Sequence, residues 1–217
     1  MESARVLGQN HITKHFENAI KMGKISHAYI INGEEGTGKM RLAVSFAKAL
    51  QCVENNPEFY ADNDLQFDFG MEDSNKVVTG RACGECKSCK QTDSKNQPDI
   101  KYVTYEKSGI GVDEIREQIN DDIDIKPYSS RYKIYIVDDS EKMTVQAQNA
   151  LLKTIEEPPE YAIIILLTTN ADMFLPTILS RCVLLNMRPV KEEIIKNQLM
   201  SQYNVSNYEA NVAAVFS

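Results

Sequence analysis

A chain of 217 residues, 42% hydrophobic and 25% charged, suffices for one good-sized globular domain and the beginning of another. Its formal charge of −7 leaves no overall basic footprint for nucleic acid, although a local patch is compatible with that sum. The stretch MESARVLGQNHITKHF lacks the apolar core of an export signal, and no run approaches the roughly 18 consecutive apolar residues of a membrane span. The expectation is a cytoplasmic protein with no membrane partner and no disulfides, so its five cysteines need another explanation.

The run AYIIN at 28–32 is the first predicted strand. It leads into GEEGTGKM, residues 33–40, which meets the phosphate-loop pattern G-x-x-x-x-G-K-[ST] at Gly33, Gly38 and Lys39 but not at Met40. With Gly36 and Thr37, these residues form a loop whose backbone N–H groups can turn toward a polyphosphate, while Lys39 reaches its terminal phosphates. A helix follows, with Leu42, Ala43, Phe46, Ala47 and Leu50 on one face. Strand, glycine loop and helix are the context that the pattern requires. Met40, however, stands where a hydroxyl holds Mg²⁺, and a thioether is a poor ligand for a hard cation. The plain alternative for Met40 is local packing at a helix start. Weak binding of ATP and Mg²⁺ at most is expected.

Residues 53–82 carry seven acids against two bases and little periodic apolar content, which predicts a long surface excursion. RACGECKSCK then places Cys83, Cys86 and Cys89 in a C-x₂-C-x₂-C array. The three histidines all precede the phosphate loop, so Cys52, at the end of the loop's helix, is the best fourth ligand of a tetrahedral, structural zinc site. A bacterial ferredoxin array would need another cysteine after three residues, where Asp93 and Ser94 stand. The alternative for Cys52 is a small buried residue; Cys182, at the start of a strand, reads as core.

IKYVT at 100–104 is the second strand, and Val112, Ile115 and Ile119 mark one helix face. KIYIVD at 133–138 is four apolar residues and an acid, the second signature of nucleotide binding, with Asp138 placed to hold Mg²⁺ through water. Asp139 occupies the place of the glutamate that orients the attacking water but is one methylene shorter. Since a misplacement of about 1 Å can cost roughly a hundredfold, little turnover is expected. Alone, such an acid pair can simply close a strand. Thr144 caps a helix running to Glu157, with Leu151, Leu152 and Ile155 inward and Pro158–Pro159 as the stop. AIIILLT at 162–168 is a strand, 172–180 a helix and CVLLN at 182–186 a strand. Between the last two, Arg181 can cap helix carbonyls or pair with an acid.

Apolar strands alternating with helices predict a parallel α/β sheet. After Arg188–Pro189 only helical patterns remain, KEEIIKNQLMSQY and YEANVAAVFS. The predicted division is a nucleotide-binding-like core at 1–188, with a zinc module inserted at 52–90, and the truncated start of a helical domain at 189–217.

SHAYIINGEEGTGK, the four-cysteine module, QNALLKTIEEPP, LLTTN and TILSRC stand in the order found in bacterial clamp-loader subunits of the AAA+ family, which the chain resembles from residue 5 to about 190. The resemblance implies a five-stranded parallel AAA+ sheet flanked by helices, a helical lid begun at 189–217, and a pentamerising collar missing from this chain. It implies DNA replication as the setting, with gamma/tau and delta subunits of DNA polymerase III, in a hetero-pentamer, as partners along with the sliding clamp and primed DNA. It places Thr168, Thr169 and Asn170 at the position that senses the γ-phosphate, and it carries Arg181 to the neighbouring subunit's nucleotide as an arginine finger in trans. The family has motor subunits with a complete loop and a D-E pair, and stator subunits with degraded motifs. Met40 and Asp139 depart in the stator's direction, while Gly33, Gly38, Lys39 and Asp138 remain. An active motor ATPase is the alternative. A zinc-dependent nucleic-acid module is a third reading, which the acidic balance opposes.

Overall fold

The computed structural model describes residues 6–62, 78–106, 109–203 and 205–215. The most continuously apolar runs become its innermost strands: β1 (Ala28–Asn32), β3 (Lys133–Val137) and β4 (Ala162–Thr168) are buried almost throughout. β2 (Ile100–Val103) and β5 (Val183–Asn186) are only half buried, as befits edges. The five strands form one all-parallel sheet in the order β2-β3-β4-β1-β5. A sheet of this kind needs helices on both faces.

On one face lie α1 (Asn10–Lys21) and α2 (Lys39–Leu50). Phe16 and Phe46 stack at 3.8 Å between ring centroids, and Tyr29 of β1 meets both edge-on. The other face is covered by α5 (Val112–Ile115), the wide turn Arg116–Asn120 that continues it, and α6 (Val145–Glu156). Their Ile115, Ile119, Leu151 and Ile155 pack with Phe174 and Ile178. Thr144 caps α6 as its sequence predicts, accepting from the Ala147 N–H at 3.1 Å.

The sequence reading has no counterpart for α1, whose Ile12, Phe16, Ala19 and Ile20 sit in the core at helical spacing within an otherwise polar stretch. The continuous helix expected at 172–180 is broken. A short turn at Ala171–Met173 is followed by α7 (Pro176–Leu179), because Pro176 holds Leu175 extended at φ −60°, ψ 141°. The acidic excursion opens with a turn at Val53–Asn55 and α3 (Pro57–Asp62); its stretch 63–77 lies outside the described residues. Its two ends are joined by buried Asn55, which donates to the Ala49 and Arg81 carbonyls and accepts from the Gly80 N–H. Gly80, at φ +73°, lies against the Glu17 carbonyl, where a Cβ would approach to 2.3 Å. Beyond the sheet come α8 (Glu192–Tyr203) and α9 (Asn207–Val215). Among the described residues no helix is long and apolar enough to cross a membrane.

Phe46 is 2% exposed and joins α1, α2 and β1. Phe46→Ala should therefore lower unfolding free energy by about 3–5 kcal/mol in urea titrations. A loss below about 1 kcal/mol would contradict this packing.

Candidate functional site

The carboxyl ends of β1, β3 and β4 form one rim, and most of the predicted nucleotide-site residues lie along it. Gly33, the first residue after β1, donates its N–H to the Thr168 carbonyl at the end of β4, at 3.1 Å. Gly36 and Gly38 take left-handed φ of 78° and 87°, which suits glycine best, and α2 starts at Lys39. Lys39 Nζ donates to the carbonyls of Gly33 at 2.7 Å and Glu34 at 2.8 Å. The Thr37 hydroxyl donates to the Glu34 carbonyl at 2.7 Å. Gly33 has no room for a side chain, since a Cβ there would lie 2.9 Å from Met187 Cβ. Met40 is half-buried against the apolar core. With Val44, Tyr102, Thr92, Asp93 and Lys95 it lines a cavity of about 290 Å³ between α2 and α4 (Lys87–Asp93).

Asp138 is exposed at the end of β3, and its Oδ1 accepts the N–H of Asp139. Asp139 lies in the left-handed region at φ 47°, a conformation that aspartate tolerates at a turn. One of its carboxylate oxygens, Oδ2, accepts from both Lys142 Nζ at 2.7 Å and the Tyr105 hydroxyl at 2.6 Å. These contacts, Lys142 first, draw its pKa below the usual carboxylate range. Asp139 Oδ2 is therefore directed toward the end of β2. At the tip of β4, Thr168 is buried and its hydroxyl closes the turn through the Asn170 backbone. Thr169 donates to Glu141 at 2.6 Å, and the Asn170 side chain caps the following turn through the Asp172 N–H.

Tyr105, Lys142 and Glu141 were not singled out from sequence. A lysine three residues after Asp139 was a readable signal for the first contact; the tyrosine required the β2–β3 pairing. Buried Gln148 was also missed. It donates to the carbonyls of Met143 and Met173 and accepts from the Leu175 N–H, so α6 holds the chain that leads into α7. Arg181 follows α7 and is 40% exposed. Its guanidinium donates to the Thr177 carbonyl at 3.0 Å and Ser180 Oγ at 3.2 Å, and pairs with Glu156 at 2.9 Å. These contacts go to α7 and α6 rather than to this chain's own phosphate loop.

The cysteines gather at the opposite end of α2. The sulfurs of Cys52, Cys83, Cys86 and Cys89 lie within 4.8 Å of one another, with Cys52 and Cys89 fully buried. Each of three sulfurs accepts a backbone N–H at 3.4 Å: Cys83 to Cys52, Cys86 to Cys83 and Cys89 to Cys86. Such bonds favour thiolates. Four thiolates around zinc at about 2.3 Å stand roughly 3.8 Å apart, and Cys83 and Cys89 are already at 3.9 Å. The donor set thus fits a tetrahedral metal ion with slight contraction. Without a cation, the hydrogen bonds from Cys52 and Cys89 draw Cys86 far down, while Cys52 is pushed up to about 12, chiefly by Cys86. A dication bound there would favour the thiolate form of all four. Cys182 stands apart, packed against the core, with burial pushing it up to about 12.

A five-stranded parallel sheet in the order β2-β3-β4-β1-β5, with a glycine loop after β1 and an acid pair after β3, has the AAA+ fold. Its architecture is shared with a gamma subunit-related protein of Thermotoga maritima at TM-score 0.57 and 23% identity, over 94% of this chain and 56% of that one. The RuvB branch-migration motor of the same organism matches at 0.53 and 14% identity, over 96% of this chain and 56% of RuvB. Residues 8–191 match the family described as DNA polymerase III, delta subunit, and the chain belongs to that family of clamp-loader subunits. Bacillus subtilis (strain 168) DNA polymerase III subunit tau is 37% identical over 194 residues, 89% of this chain and 30% of tau. The delta' subunit of the same organism is 30% identical over 207 residues, 95% of this chain and 55% of delta'. The chain thus spans about a third to just over half of these two relatives.

For the cysteine cluster we expect close to one equivalent of zinc per chain in metal analysis. Cys86→Ser should take this below half an equivalent and raise amide exchange across residues 83–93, while the sheet stays protected. Iron in place of zinc, or intact protein holding less than half an equivalent, would rule out this assignment.

Proposed function

We propose that this chain is the AAA+ part of a delta-prime, stator-type subunit of the DNA polymerase III clamp loader. In this reading it assembles with gamma/tau and delta subunits in a hetero-pentamer and helps load the sliding clamp onto primed DNA. It works in the cytoplasm, and residues 189–217 begin its helical lid. Cys52, Cys83, Cys86 and Cys89 hold a structural zinc. Gly33, Gly36, Thr37, Gly38 and Lys39 would cradle a polyphosphate, with Asp138 toward Mg²⁺ and Thr169 and Asn170 near the γ-phosphate. The reading rests on one observation above all: Asp139 is short, and Lys142 and Tyr105 hold it beside a loop whose Mg²⁺-ligand position is Met40. Such a subunit retains the shape of a nucleotide site without its chemistry, and its contribution to catalysis is Arg181, offered to a neighbour. An arginine finger can be worth about 10³–10⁵ in rate at the site it serves.

A motor of the gamma/tau type is the second reading. It is favoured by the higher identity to tau, 37% against 30% for delta', and by the retention of Gly33, Gly38, Lys39 and Asp138. Binding and turnover of ATP by one purified preparation separates the two. We expect weak or absent binding and negligible hydrolysis, with both increased by Met40→Thr plus Asp139→Glu, and further by adding Tyr105→Phe to free the acid. Robust turnover abolished by Lys39→Ala would return the chain to the motor class.

Arg181→Ala should leave the fold and zinc content intact but lower the DNA- and clamp-stimulated ATPase of the assembled loader. Arg181→Lys should not rescue it, because an ammonium lacks the planar fork of donors. Unchanged hydrolysis and clamp loading with Arg181→Ala would leave the arginine only its contacts within the chain.

A further inference from the structure

Glu156 stands where a helix least favours an acid. It is the last residue of α6, whose C-terminal end carries the negative pole of the helix dipole, and Glu157 and two prolines follow it. An acid that breaks a local rule invites a reason outside helix stability. Its Oε1 lies 2.9 Å from Arg181 Nη2. The other terminal nitrogen, Nη1, donates to the Thr177 carbonyl at 3.0 Å and Ser180 Oγ at 3.2 Å. Three oxygens thus occupy the donor edge of the guanidinium, and only one of them is charged. The two supports differ in kind: Glu156 ends a twelve-residue helix, whereas Arg181 follows the four-residue α7.

We propose that Glu156 is a positioning residue that holds Arg181 within its own chain, and that engaging a neighbouring subunit's nucleotide exchanges this carboxylate for a γ-phosphate. This rests on the finger reading above. The exchange swaps one oxyanion for another on a planar donor fork suited to both, so the guanidinium need not be stripped of partners on the way. The strength of the pair sets its role. Both side chains are well exposed, 40% for Arg181 and 46% for Glu156, and exposed pairs of this kind shift an equilibrium by only about 1.5-fold to fivefold. The contact is therefore a bias toward rest, which a correctly placed phosphate overcomes.

The test uses the full-length subunit in the assembled loader. Glu156→Gln keeps the length and helix propensity of the side chain and removes its charge. Unstimulated ATPase should rise about 1.5-fold to fivefold while the DNA- and clamp-stimulated rate stays unchanged, so the ratio of the two falls by that factor. Thermal stability should be unaltered, Glu157→Gln should be silent, and the effect should vanish in an Arg181→Ala background. If Arg181→Ala lowers the stimulated rate but Glu156→Gln leaves the unstimulated rate unchanged or lowers it, the holding role is wrong and the finger stands. If the increase persists without Arg181, Glu156 acts elsewhere and the proposal fails. If Arg181→Ala itself changes nothing, the finger reading falls and takes this proposal with it.

Discussion

The parallel register of β1 against β4, from Ala28 opposite Ile164 to Asn32 opposite Thr168, is the constraint on which the site depends. Both strands are buried on both faces, so a slip by one residue would turn every buried side chain to the wrong face. The pairing continues one step beyond the strand, where Gly33 donates to the Thr168 carbonyl. The phosphate loop therefore begins level with the tip of β4. On the other side of β4, the β3 register brings the acid pair to the same rim, and Ser140 Oγ fastens the following turn to the Leu167 carbonyl at 2.6 Å. Packing in the sheet thus sets the geometry of the site.

The helix α2 carries this order to the cysteine cluster. Its twelve residues span about 18 Å, with Gly38 before its first residue and Cys52 two residues beyond its last. Asn56 donates to the Leu50 and Cys52 carbonyls, satisfying oxygens that the helix end leaves open. Beside it α4 packs on α2, joined by the Lys48–Asp93 pair at 2.6 Å. A short segment buries little apolar surface of its own, and four cysteine sulfurs within 4.8 Å of one another form a donor set that a metal ion could cross-link. The cluster and the phosphate loop sit at opposite ends of one rigid element, and neither supplies ligands to the other.

What could be read from sequence follows how local each signal was. Five apolar runs gave five strands within a residue or so; for β1, β3 and β4, burial on both faces writes itself as nearly uninterrupted hydrophobicity. Thr144 and the glycine loop were equally local. The α1 helix escaped because its four core residues are diluted by polar ones, and only the packing of Phe16 on Phe46 reveals its role. The break within 172–180 has a local signal too, Pro176, which keeps Leu175 out of the helical region. The partners of Asp139 depended on strand order: Tyr105 reaches it only because β2 pairs with β3. For Arg181, capping a carbonyl and pairing with an acid were read as simple alternatives, and the side chain does both.

The same contacts give the charged groups of this rim, and Arg181, partners within the chain. A buried or crowded charge that loses its ligand must find a partner or shift its protonation. Lys39 has the Gly33 and Glu34 carbonyls, Asp139 has Lys142 and Tyr105, and Arg181 has Glu156 and the end of α7. Each is compensated within the chain, so the rim stays folded whether or not phosphate arrives. Arg181 differs from Asp139 in where it points. The two ion pairs are comparably exposed, 46% and 43% for Lys142 and Asp139 against 40% and 46% for Arg181 and Glu156, so giving up either costs little. Asp139 has its partners at the carboxyl rim of the sheet, beside β2, whereas Arg181 has its partners on α6 and α7.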